Sequence, residues 1–123
     1  MNEGTWLNSN EQLTPEEAKL LIDNYNAVVV DVRTEKEYQF YHIKGAVHIP
    51  IDELSIDLLI AKLNMNNLGE LQKKIVITYC NAGGRGGRAF LLLKKNNKHD
   101  NILIKNLQHG INAWIQSSYP ISK

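Results

Sequence analysis

The chain has 123 residues, 43% of them hydrophobic, and its 14 basic and 13 acidic residues leave a formal net charge of +1. That length suits one compact unit with a core of useful size, the scattered charges exclude the basic footprint of a nucleic-acid binder, and no apolar run is long enough to span a membrane. The single cysteine permits neither an internal disulfide nor a cysteine-based metal cluster, and it fits a reducing compartment, with the cytoplasm as the default.

In chain order, residues 1–11 are polar, do not read as a secretory signal and are expected to be loosely ordered, with Trp6 and Leu7 packing at an edge. Thr14-Pro15-Glu16-Glu17 is a helix start: Thr14 caps, Pro15 suits the first helical position and Glu17 closes a capping box. The helix is expected to reach about Asp23 and to bury Ala18, Leu21 and Ile22. The β-branched run from Ala27 to Val32 suits a strand covered on both faces. Asp31 stands near its end, and a buried charge there needs a partner. Thr34 and Glu37 predict a second capping box and a short helix to about Phe40. His42 to Pro50 reads as a turn and a short strand, Asp52 to Leu54 as a connector, and Ser55 to Leu63 as an amphipathic helix. Leu68 to Lys74 is ambiguous, with one helical turn as an option.

The run Ile75 to Tyr79 predicts a central strand, and it ends in Cys80. Asn81, Ala82, Gly83, Gly84, Arg85 and Gly86 follow as a glycine-rich loop, then a helix is expected over Gly87 to Lys95. Glycines let backbone N–H groups turn inward and converge, and a helix start adds free N–H groups and the positive end of a dipole. Arg85 brings full positive charge, with Arg88 as a second candidate. A thiol in such a place ionises more readily than a free one. The plain alternative is an inert buried cysteine at a strand end; the glycines and the arginine five residues on argue against it. Asn101 to Lys105 predicts a fourth strand, Leu107 to Gly110 a turn, and Ile111 to Gln116 a helix burying Trp114. Alternating strands and helices imply an α/β fold with a mostly parallel sheet, whose strand ends leading into helices make the site.

Cys80-x-x-Gly83-x-Arg85 resembles the active-site loop of single-domain rhodanese-like sulfurtransferases. Three further segments resemble that family in the same order: Asp31-Val32-Arg33 with Glu37-Tyr38, His42 to Pro50, and Leu107-x-x-Gly110-x-x-Ala113-Trp114 with Tyr119-Pro120. The similarity runs from about residue 12 to residue 120, within one domain covering 1–123. The chain departs from the pattern in carrying Gly86-Gly87 where Ser or Thr often follows the arginine, Tyr41 before the His-Ile pair, and His109 in place of a glycine.

The resemblance implies a five-stranded, mostly parallel central sheet with helices on both faces, including a short strand near Leu13. It implies that Cys80 takes a sulfane sulfur, holds it as a persulfide and yields it to a second nucleophile, in two covalent steps. The backbone N–H groups of Asn81 to Gly86 are expected to stabilise the sulfur anions. Donors would be small sulfur-containing anions such as thiosulfate or a persulfide. Acceptors would be thiols: glutathione, thioredoxin or a cysteine of a partner protein. No cofactor or metal is implied, and no nucleic acid or membrane partner.

Arg85 either binds the anionic donor or anchors the loop by pairing with Asp31. Arg33 either faces the pocket mouth or pairs at the surface with Glu35 or Glu37. Arg88 is a substrate contact or a solvated residue, and His42 is better read as a structural turn histidine than as an acid–base group. The rival enzymes are cysteine-dependent phosphatases and arsenate reductases, whose Cys-x5-Arg loops are one residue longer, to fit a tetrahedral anion. The rival from another class is a regulatory or sulfur-relay module in which turnover is incidental.

Overall fold

The computed structural model describes residues 10–64 and 74–123. The edge contact expected of Trp6 and Leu7, and the helical option over 68–73, lie outside the described residues.

Strand β1 (Gln12–Leu13) leads into α1 (Pro15–Tyr25) through the predicted capping box, with the Glu17 N–H donating to Thr14 Oγ1 at 3.2 Å. A cap of this kind is worth about 1 kcal/mol. Strand β2 (Val28–Asp31) is followed by α2 (Glu35–Phe40), which starts at the second capping box, Thr34 with Glu37. Two short strands come next, β3 (His42–Ile43) and β4 (Val47–His48), then a 3-10 turn (Ile51–Glu53) and α3 (Ile56–Asn64). The remainder is β5 (Lys74–Tyr79), α4 (Gly84–Asn96), β6 (Ile102–Leu107), α5 (Gly110–Gln116) and β7 (Ile121–Ser122).

Five strands form one parallel sheet in the order β1-β6-β5-β2-β4. The fold is therefore α/β, as the alternation of elements implies, with the five-stranded parallel sheet that the family resemblance implies. The β3 and β7 strands pair antiparallel as a separate ribbon, Ile43 opposite Ile121. That ribbon is not legible in the sequence, because two residues are too few for any periodicity.

Side chains of a strand alternate between its two faces. In β5, Ile75, Ile77 and Tyr79 enter a core with Leu21 of α1 and with Ile111 and Trp114 of α5. Val76 and, one residue past the strand, Cys80 enter the opposite core, with Leu59 of α3 and with Ala89, Phe90 and Leu93 of α4. Both faces are thus covered by helices, which is why the strands read as continuous apolar runs. Among the described residues no helix is long and apolar enough to cross a membrane.

Helix α4 begins at Gly84, three residues before the sequence-based start at Gly87. Weak glycine propensity is overridden here by close packing. A Cβ on Gly86 would lie 2.9 Å from Asn106 Oδ1 and 3.2 Å from both Cys80 N and Tyr79 Cα, so the helix can approach the end of β5 only with glycine at this position. Gly86 is therefore a buried part of the first helical turn rather than of a loop.

Candidate active site

The site forms where β5 and β2 end and α4 starts. Cys80 is only 2% exposed, and it lies with Asn81, Ala82, Gly84, Arg85 and Arg88 around an open pocket of about 490 Å³. The Gly83 N–H donates to Cys80 Sγ at 3.1 Å. Gly83 has φ +122°, a conformation that glycine adopts freely, and it is the N-cap of the 13-residue helix α4. The sulfur thus sits against a turn amide at the positive end of a helix dipole.

The loop is held from behind by α5. The N–H of Ile111 donates to the Cys80 carbonyl at 2.8 Å, and that of Asn112 to the Asn81 carbonyl at 3.1 Å. In a trans peptide the N–H points opposite to the C=O. Tying these two carbonyls to α5 therefore turns the N–H groups of Asn81 and Ala82 away from it. Gly110 makes the approach possible: its φ is +63°, and a Cβ there would lie 2.3 Å from the Cys80 oxygen and 2.5 Å from the Asn81 oxygen.

A continuous polar chain runs from the core to the pocket wall. The buried Asp31 carboxylate accepts from Tyr79 OH at 2.6 Å and from Arg33 Nη2 at 2.7 Å, with Arg33 Nε on its other side at 3.0 Å. Arg33 Nη2 also donates to the Tyr41 carbonyl at 2.6 Å, and Nη1 donates to Asn81 Oδ1 at 3.0 Å. Asn81 Nδ2 donates onward to Glu37 Oε2. Glu37 receives both arms of Arg85, Nη1 to Oε1 at 2.7 Å and Nη2 to Oε2 at 2.9 Å.

The electrostatics follow from these contacts. The Arg85 fork, aided by the Thr34 bonds, holds Glu37 well below the usual carboxylate range even though partial burial opposes it. The same fork raises Arg85, with a smaller contribution from the Cys80 sulfur. Burial, then the adjoining Asp31, pushes the Tyr79 phenol far above its ordinary value. Burial alone would lower Arg33, but its bonds to Asp31 more than compensate and it is raised.

Two sequence expectations are corrected. Arg85 does not pair with Asp31; it pairs with Glu37 of α2. Arg33 neither faces the pocket mouth nor pairs at the surface with Glu35 or Glu37: it is 1% exposed and is itself the partner of Asp31. Residues i and i+2 at a strand end share a side, so Asp31-x-Arg33 held this signal in its spacing. Glu37 was legible as a capping residue and as a possible partner of Arg33, but not as the partner of Arg85, a contact that joins positions 48 apart in sequence. Arg88 is exposed on the pocket wall. His42 is structural, as expected, but lies in β3 rather than in a turn, its Nδ1 2.9 Å from the Tyr38 carbonyl and its ring stacked on Tyr38. Trp114 is 1% exposed, as expected of a core residue.

Comparison with known proteins gives one consistent picture. The model of the rhodanese-like domain matches residues 14–117. The adenylyltransferase and sulfurtransferase MOCS3 of Xenopus laevis is 28% identical over 94% of this chain and 28% of its own length. The probable adenylyltransferase/sulfurtransferase MoeZ of Mycobacterium tuberculosis is 30% identical over 88% of this chain and 25% of its own. The chain thus spans only about a quarter of these two curated relatives. A rhodanese-related protein of Thermoplasma volcanium superposes with a TM-score of 0.61 at 27% identity, covering 91% of this chain and 97% of that one.

Proposed function

The chain belongs to the rhodanese-like domain family, and from that membership we propose that it is a sulfurtransferase working through a persulfide on Cys80. The observation that carries the reading is the seat of the sulfur: Cys80 Sγ takes an N–H from Gly83 at 3.1 Å beside the start of α4, on a pocket flanked by Arg85 and Arg88. Such a seat favours an anion on sulfur both before and after transfer.

In the first step the Cys80 thiolate attacks the outer sulfur of the donor. With thiosulfate, a new S–S bond forms, the old one breaks, and sulfite leaves with its electron pair. With a hydropersulfide donor the leaving group is the parent thiolate. In the second step an acceptor thiolate attacks the outer sulfur of the Cys80 persulfide, and the electron pair of the broken bond returns to Cys80 as thiolate. No proton is removed from carbon and no carbonyl is polarised, so fixed amides and cations suffice. Asp31, Arg33, Asn81, Glu37 and Arg85 act by keeping the loop in shape, while Ala82 and Gly84 line the approach.

Intact-mass measurement after incubation with thiosulfate or glutathione persulfide tests the reading. One added sulfur atom, removed by reductant and absent in Cys80→Ser, is the expected result. An adduct or full turnover surviving in Cys80→Ser overturns it.

A further inference from the structure

Helix α4 carries a surface that the sulfur chemistry at Cys80 does not use. At 3.6 residues per turn, Gly84, Arg88, Leu91 and Lys95 fall within a stripe about 60° wide, with Leu92 at its edge. Gly86, Ala89, Phe90 and Leu93 are buried on the opposite side. The stripe starts at the pocket, since Gly84 and Arg88 line it, and it runs away from Cys80 along the helix. Its middle is apolar and open: Leu91 is 63% exposed and Leu92 40%.

Its charge has one sign. Helix α4 contains no acidic residue. Arg85 is compensated by Glu37, and Lys94 by Glu11 at 2.7 Å. Neither Arg88 nor Lys95 pairs with an acid among the described residues. Two exposed leucines therefore lie between two uncompensated cations, on a line that leads to the reactive sulfur.

Taking the persulfide reading as given, we infer that this stripe docks the sulfur acceptor, and that the acceptor is a protein segment carrying a cysteine followed or preceded by acidic and aliphatic residues. The dimensions fit. Gly84 to Lys95 spans roughly 16 Å at 1.5 Å per residue, the length of about five residues of extended chain. A small thiol at the pocket reaches no further than Arg88. A segment of five or six residues beyond its cysteine covers Leu91 and meets Lys95. Its thiolate attacks the outer sulfur of the Cys80 persulfide, the S–S bond to Cys80 breaks, and Cys80 keeps the electron pair while the outer sulfur leaves on the peptide.

Two synthetic peptides test this, identical around one cysteine, one continuing in Leu and Glu and the other in Ser and Lys. Each is mixed with persulfide-loaded protein, and the peptide persulfide is followed by mass. At low salt the acidic, apolar peptide is expected to react about tenfold faster, with the advantage shrinking as salt is raised. Leu91→Ser and Lys95→Glu should each remove most of that advantage while leaving loading by donor and transfer to glutathione unchanged. Equal rates for the two peptides, or variants that slow glutathione to the same extent, overturn the inference. If Cys80 takes up no sulfur, the persulfide reading has failed instead. Binding of the same peptides by fluorescence anisotropy then decides the surface: preference for the acidic peptide, lost in both variants, supports it, and equal binding rejects it.

Discussion

Asn81 Oδ1 accepts a hydrogen bond from Arg33 Nη1 at 3.0 Å, so the residue after the candidate nucleophile is fastened to a guanidinium that is itself locked on a buried carboxylate. Through its other amide atom Asn81 also holds Glu37, and Glu37 holds Arg85. One neutral side chain therefore joins two ion pairs, a buried one and a half-exposed one. A carboxylate could not do this, because one partner needs an acceptor and the other a donor.

Asn81→Asp keeps the acceptor toward Arg33 but sets a carboxylate against Glu37. Its rate of Cys80 loading is expected to fall about tenfold, the equivalent of roughly 1.4 kcal/mol. Adding Glu37→Gln removes that repulsion but also breaks the Arg85 fork, so the double variant should load faster than the product of the two single losses predicts. Stopped-flow or quenched mass measurement of loading in the two single variants and the double variant checks it; losses that simply multiply would mean that Asn81 acts alone.

Arg85→Lys retains the charge and loses the fork. Lysine cannot make two parallel bonds to one carboxylate. The expected cost is about 1–2 kcal/mol, a factor of roughly 5–30 in kcat/KM for the donor. Steady-state kinetics with thiosulfate and with glutathione persulfide would show it, and an unchanged kcat/KM for both donors would count against a positioning role for the fork.

Two glycine substitutions separate packing from propensity. Gly110→Ala places a methyl group 2.3 Å from the Cys80 carbonyl oxygen at a φ of +63°, so a loss of about 3 kcal/mol or more is expected. Gly87→Ala meets nothing within 4 Å inside α4 and should gain about 0.5–1 kcal/mol. Urea unfolding of the two variants beside the parent protein reads both signs.

The pH dependence of stability has two limbs. Glu37 is depressed in the folded state by Arg85, so its contribution is complete above the ordinary glutamate pKa of about 4.3. It is lost as pH falls below that value toward the folded pKa, because the unfolded chain then binds the proton first. Tyr79 is raised by burial and by Asp31, so its contribution is present below the ordinary tyrosine pKa of about 10 and is lost as pH rises beyond it. Tyr79→Phe should flatten the alkaline limb and Glu37→Gln the acid limb of unfolding free energy against pH.

Local chemistry was what the sequence displayed best. Both capping boxes are four-residue devices, and Thr14 with Glu17 and Thr34 with Glu37 form as their spacing predicts. The β-branched run around Val29 and the apolar run around Ile77 needed only their burial on two faces to be recognised. Asp31 announced that it needed a partner, but Arg85 was the one expected, and seeing that Arg33 takes the place required knowing that Glu37 arrives from α2 to claim Arg85. The early start of α4 was hidden for a similar reason. Gly86 looks like a helix breaker until the backbone of Tyr79 and Cys80 is beneath it.

The tether of the Cys80 and Asn81 carbonyls to the start of α5 carries a dynamic consequence. Loops that must swing shut over a substrate are slowed by a thicker solvent. A turn bolted down on its far side has no hinge of its own, so at saturating donor and acceptor the turnover rate should be indifferent to added sucrose.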